Sequence, residues 1–216
     1  MLTCVNALDD LKHRASPPPV LLRRAEVPSD TWAGLLADGA YRRLTDGCAL
    51  RADAAEDADC RAQALPGPLP VRSVVGRRSA AWVHLGGDPP GRLDLLVPPG
   101  RRVDPAPGRR CSEARLATAD VVVLGGHPVT TPTRTLFDLV LVPEADALWP
   151  TLTALCDIGA DPADALTRFT RRRRGACHAR LLLTGLREGS SVEAPTGQAR
   201  MTGSEAALAP VIRYTS

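Results

Sequence analysis

The stretch DVVVLGGHPVTTPTRTLFDL, Asp120 to Leu139, decides the fold class. Asp120–Leu124, apolar from Val121 on and β-branched at three positions, predicts a strand. Gly125 and Gly126 follow as a turn, so His127 falls in a Gly-Gly-His-Pro turn. Thr130 or Thr131 then offers a side-chain oxygen to the free N–H groups of a helix starting at Pro132, whose missing N–H is no loss in a first turn. Inside that helix Arg134 and Asp138 stand at i and i+4 on one face, while Thr135 and Leu136 anchor the turn. Working outward, Val71–Val75 and Leu93–Val97 predict strands, residues 109–117 a further one, and Ser79–Leu85 a short helix capped by Ser79. Leu148, Leu152, Leu155 and Cys156 share one helical face, as do Ala179, Leu182, Leu183 and Leu186. Strands first and helices afterwards predict a mixed α+β domain over residues 66–188. Residues 189–216 are polar and Gly/Ser-rich and predict a loosely ordered tail.

Proline marks the other boundaries, at Pro17–Pro19 and at Pro66, Pro68 and Pro70 around Gly67. The second group follows the acidic run Asp53–Asp59 and sets a domain boundary after residue 65. Between them Val20–Ala25 predicts a short helix and Glu26–Pro28 a turn. Ser29 or Asp30 caps a second helix, about residues 30–38, with Trp32, Leu35 and Leu36 on one face and Gly39 ending it. Tyr41–Leu44 and Cys48–Arg51 pair through Asp46-Gly47 as a hairpin. Helix, turn, helix, hairpin is the order of a winged helix-turn-helix, and a small helical lobe with a hairpin fits the pattern equally well. The helix at 30–38 has no Arg or Lys to read base edges, and carries Asp30 and Asp38. The expected DNA contacts are therefore Thr31 and the phosphate-gripping Arg23, Arg24, Arg42, Arg43 and Arg51, which position a protein without specifying sequence. Binding to double-stranded DNA is expected to be weak and salt-sensitive.

Charge supports that restraint. The chain has 26 arginines and one lysine, Lys12, yet its net charge is only +3. Residues 1–65 hold eight basic against ten acidic residues, 66–150 ten against eight, and 151–216 nine against six. A bias of Arg over Lys also suggests a GC-rich genome, independent of function. Arg171–Arg174 is the sharpest basic run; it fits either a phosphate contact or a solvated helix end. Arg77-Arg78, Arg101-Arg102 and Arg109-Arg110 join a positive face only if folding gathers them.

Other classes fall away. No apolar run reaches the roughly 18–20 residues of a membrane span, and acids near the N-terminus do not suit an export signal, so a cytoplasmic location is expected. The six scattered cysteines contain no Cys-x-x-Cys pair and read as reduced thiols; no metal is expected. No P-loop, nucleophile elbow, His-Glu-x-x-His or dinucleotide turn is present. His84 reads as a half-buried packing residue, His127 lacks a carboxylate partner in sequence, and Glu188, Glu193 and Glu205 read as solvated tail acids. No catalytic residue and no cofactor is expected.

Taken together, Arg78-Ser-Ala-Ala-Trp-Val-His84, Leu93-Asp-Leu-Leu-Val-Pro98, Asp120-Val and Gly125-Gly-His-Pro-Val-Thr-Thr-Pro-Thr-Arg-Thr-Leu-Phe-Asp-Leu139 make the chain resemble the AbiEi family of antitoxins from type IV toxin–antitoxin systems, over roughly residues 20–186. The residues matching the family string include Arg78, Ser79, Thr131, Arg134, Thr135 and Asp138. The resemblance implies a cytoplasmic bacterial transcriptional regulator, with an N-terminal winged helix on DNA and a C-terminal domain that antagonises a nucleotidyltransferase toxin. A similar middle segment precedes Vsr-like endonuclease domains, and Ser190-Ser-Val-Glu193 looks like the opening of one. The alternatives are thus a truncated, inactive relative of those proteins, or a pure protein-interaction module.

Overall fold

The computed structural model describes residues 18–101, 106–142, 144–169 and 176–189. The expected tail, apart from Gly189, and the run Arg171–Arg174 lie outside the described residues.

Two sheets and a set of short helices make a mixed α+β fold. In the first sheet β1 (Leu21–Arg23), β2 (Tyr41–Thr45) and β3 (Cys48–Arg51) lie in the order β1-β3-β2, all antiparallel. The Asp46-Gly47 hairpin forms as expected, with a register shift between Arg43 and Thr45. Val20–Ala25 does not form a helix. Leu21–Arg23 is a strand paired to β3, and only Arg24–Glu26 turns, as a 3-10 segment. The reason is tertiary: β3 offers backbone groups to a segment whose Leu22 is buried beside Ala49, Trp32 and Tyr41.

Helix α1 (Ser29–Ala37) follows. Its cap position is Pro28 and neither Ser29 nor Asp30 caps it by a side chain. Gly39 closes it at φ +68°, the left-handed region. A helix missed in sequence, α2 (Ala58–Gln63), is capped by Asp57, whose Oδ1 accepts from the Cys60 N–H at 2.8 Å.

The second sheet has the order β6-β5-β4-β8-β7, from β4 (Val74–Val75), β5 (Leu93–Val97), β6 (Arg109–Glu113), β7 (Val121–Leu124) and β8 (His127–Thr130). Pairing is mixed: β4/β8 and β5/β6 are parallel, β4/β5 and β7/β8 antiparallel. Of Val71–Val75 only the last two residues pair, and Val71 is exposed. His127 opens strand β8 rather than lying in the turn, because Gly125 and Gly126 alone connect it to β7. Helix α3 (Arg77–Leu85) begins two residues before Ser79, with Gly76 as its cap residue. Ser79 is instead fully buried and its Oγ accepts from the Asp94 N–H at 2.8 Å. Helices α4 (Pro132–Leu139), α5 (Trp149–Asp157), α6 (Pro162–Thr167) and α7 (Ala176–Arg187) complete the chain. Thr131 caps α4, with Pro132 in the first turn.

Three apolar clusters hold these elements. One joins Leu22, Trp32, Tyr41 and Ala49 under α1. A second joins Leu44, Cys48 and Leu50 of the first sheet to Leu65, Trp82, Leu95 and Val129. The third lies among the C-terminal helices, with Leu136, Leu139, Leu152, Leu155 and Leu183 buried. The second cluster crosses the boundary expected after residue 65, so packing is continuous through the proline-rich segment. No helix among the described residues is long and apolar enough to cross a membrane.

Candidate nucleic-acid interface

The residues expected to meet DNA lie on the first sheet and the turn beside it. Arg24 is exposed in the 3-10 turn, and its N–H donates to the Gly47 carbonyl at 3.0 Å, which ties that turn to the hairpin tip. Arg43 is also exposed and faces Asp46 across 3.9 Å. Arg23, one residue before, donates from Nη2 to the Gln63 carbonyl at 2.6 Å. Thr31 is exposed on α1, beside Asp30.

Arg42 and Arg51 point elsewhere. Arg42 pairs with Glu56 at 2.5 Å, and Glu56 pairs in turn with Arg61 at 3.1 Å. Arg61 is buried and donates to the Val83 and His84 carbonyls, so the hairpin is chained to the end of α3. The Arg42 hydrogen bond leads in holding the Glu56 carboxyl below its usual range, against the opposing effect of burial. Arg51 pairs with Asp53 at 2.5 Å and donates to the Pro18 carbonyl at 2.8 Å. In the register Arg23 stands opposite Cys48 and Tyr41 opposite Arg51. The positions of Arg23 and Arg51 are therefore three residues of β3 apart, about 10 Å at ~3.3 Å per residue, while Arg42 and Arg43 are neighbours on β2, opposite Leu50 and Ala49.

Of the six expected contacts, Arg23, Arg24 and Arg43 thus lie toward the hairpin tip, Arg42 and Arg51 are already matched by acids, and Thr31 lies on α1. Sequence reading missed those acids because it used the acidic run Asp53–Asp59 only as the polar segment before a domain boundary. The Asp57 cap was the available signal that a helix begins there. It also had no means of placing Arg109, which comes to the Arg23–Arg24 side and donates from Nη2 to the Pro68 carbonyl at 3.0 Å. Both faces of the first sheet are covered, one by α1 and the other by the central cluster, which leaves its edges and tip for a ligand.

The family-string residues build structure. Arg134 is 7% exposed and bidentate to Asp138, with Nε–Oδ2 at 3.0 Å and Nη2–Oδ1 at 3.2 Å. Its Nη1 donates to Asp120 at 2.9 Å and to the Arg115 carbonyl at 3.0 Å. Arg168 pairs with the other Asp120 oxygen and with Asp164. Burial would raise the Asp120 carboxyl, but the Ala117 N–H and the two guanidinium groups outweigh it and hold the carboxyl low. The Thr135 and Thr130 hydroxyls bond at 2.7 Å. Arg78 is largely exposed, 3.8 Å from Glu144. His84 packs half-buried with Nε2 2.7 Å from the Thr130 carbonyl, and burial lowers its pKa. Arg110 pairs with the buried Asp94.

Among the described residues no group of three or more His, Cys, Asp or Glu is placed to hold a metal ion, and the five described cysteines are free thiols.

No family model matches the chain, and no curated protein matches it. Among solved structures it is similar to the crystal structure of RV2827C protein from Mycobacterium tuberculosis. The likeness has a TM-score of 0.44 at 18% identity, covering 78% of this chain and 72% of that one.

Proposed function

We propose that the chain is an antitoxin-like, non-catalytic regulator, with a reduced winged helix that touches the DNA backbone and a C-terminal domain that antagonises a nucleotidyltransferase toxin. The observation that carries the DNA reading is the strand–helix–hairpin lobe, in which Arg24 and Arg43 flank an exposed Asp46-Gly47 tip. In this lobe the helix before α1 is shortened to the 3-10 turn at Arg24–Glu26. With no Arg, Lys, Asn or Gln on α1, contact is to phosphates and is sequence-tolerant.

Fluorescence anisotropy on the chain's own promoter and on a random duplex tests this. Both duplexes are expected to bind within about tenfold of each other, with affinity falling steeply as salt rises. Arg24→Glu with Arg43→Glu should weaken both, while Arg51→Gln at the far end should not. Binding unchanged by the tip reversals would sink the assignment. A second reading, a protein-interaction module without DNA contact, draws on the internal pairing of Arg42 and Arg51. Co-purification with a nucleotidyltransferase encoded beside it, together with no duplex binding, would select that reading.

A further inference from the structure

Between the hairpin tip and the central sheet lies a cleft of about 1040 Å³. That is the size of a small-molecule site rather than of a packing defect, which holds at most a few waters. Its rim carries three guanidinium groups, Arg23, Arg24 and Arg109, against one carboxylate among the described lining residues, Asp46. Asp46 in turn faces Arg43, so the rim is cationic on balance.

Two of the three cations are held in place by the fold. Arg23 and Arg109 donate to the carbonyl oxygens of Gln63 and Pro68, on either side of the Pro66-Gly67 turn. Each contact uses Nη2 of a group with five N–H donors, so the guanidinium plane is oriented while donors remain for a ligand. Arg24 has no side-chain partner among the described residues. Beneath the rim the cleft is apolar, with Leu65 and Leu93 at its floor and Pro89, Pro90 and Pro107 in its walls. Such a wall suits a flat ring, and fixed guanidinium groups suit phosphate oxygens.

We propose that this cleft binds a nucleoside polyphosphate, with the base against the proline and leucine surface and the phosphates on Arg23, Arg24 and Arg109. The site goes beyond the DNA reading and shares Arg23, Arg24 and the Asp46-Gly47 tip with it.

Isothermal titration of the full chain with ATP, adenosine and tripolyphosphate tests the proposal, since both halves of the ligand are needed. ATP is expected to bind at least about tenfold more tightly than either fragment. Gly91 lines the cleft with open space around it and an ordinary φ, so Gly91→Trp fills the cleft without straining the backbone. That variant should lose ATP affinity by about tenfold or more, with unchanged melting temperature and duplex binding. Arg109→Gln should weaken ATP likewise, and Arg42→Gln, at a residue that does not line the cleft, should leave it unchanged. Absence of ATP binding would overturn the proposal. So would ATP binding unaffected by both Gly91→Trp and Arg109→Gln, or tripolyphosphate binding as tightly as ATP, which would indicate a non-selective polyanion surface.

Discussion

Arg134 shows how one side chain can organise a domain without touching a ligand. It satisfies two buried carboxylates and a carbonyl at once, and Arg168 completes the set on Asp120. Removing the guanidinium leaves Asp120 and Asp138 in a buried site with that partner lost. Arg134→Ala is therefore expected to cost about 3–5 kcal/mol, which a thermal melt reads as a fall on the order of 10 °C. A drop of only a degree or two would show that the network is incidental. The same site gives an acid dependence. The Asp120 carboxyl is held below its unfolded value, so its contribution is complete above about pH 5 and is lost as pH falls through the carboxylate range. Asp120→Asn should lower stability at pH 7 and flatten the acid limb of a stability-against-pH curve. An unchanged slope between about pH 5 and 3 would contradict the ion-pair account.

At the scale of elements, the β7–β8 hairpin and helix α2 set each other's position. Gly125 lies at φ +53°, and its N–H donates to the Asp59 side chain at 2.5 Å. A Cβ there would run into the Asp59 carbonyl oxygen and Gln63. Gly126 is also left-handed, at φ +82°, but nothing stands within 4 Å of its Cβ position. Gly126→Ala is expected to cost about 1–2 kcal/mol, the backbone strain alone. Gly125→Ala should cost about 3 kcal/mol or more, since packing strain adds to it. Urea titrations of the two variants measure the difference, and equal costs would mean that α2 yields easily. Two consecutive glycines were legible as a turn. Which of them meets another helix was not, because the second helix is 62 residues or more away along the chain.

For the molecule as a whole, the central cluster ties the first sheet to the second. Leu50 is fully buried in that cluster, with Leu65, Trp82 and Leu95. Residues 1–65 alone would expose Leu44, Cys48 and Leu50 to water, so that fragment is expected to give a collapsed amide NMR spectrum. The full chain should give a dispersed one. Dispersed peaks from the fragment would instead support the boundary expected after residue 65. Leu50→Ala, which opens a cavity at the junction, should cost about 2–5 kcal/mol.

Local chemistry was enough for several features. Asp46-Gly47 between two short β-rich runs specifies a hairpin, Thr131-Pro132 starts a helix, and Arg134 with Asp138 four residues later makes a pair on one face. Each depends on atoms a few residues apart, and side-chain type and spacing decide such contacts. Val20–Ala25 went the other way: its own pattern suited a helix, but β3 supplied a pairing edge and Leu22 a place in the core. The fate of the arginines was likewise settled by folding. Whether a guanidinium faces solvent or a carboxylate depends on which distant acid is brought alongside it, as Glu56 is to Arg42 and Asp120 to Arg168. Charge counted along a chain carries no information about such neighbours, because Coulomb energy depends on distance in space.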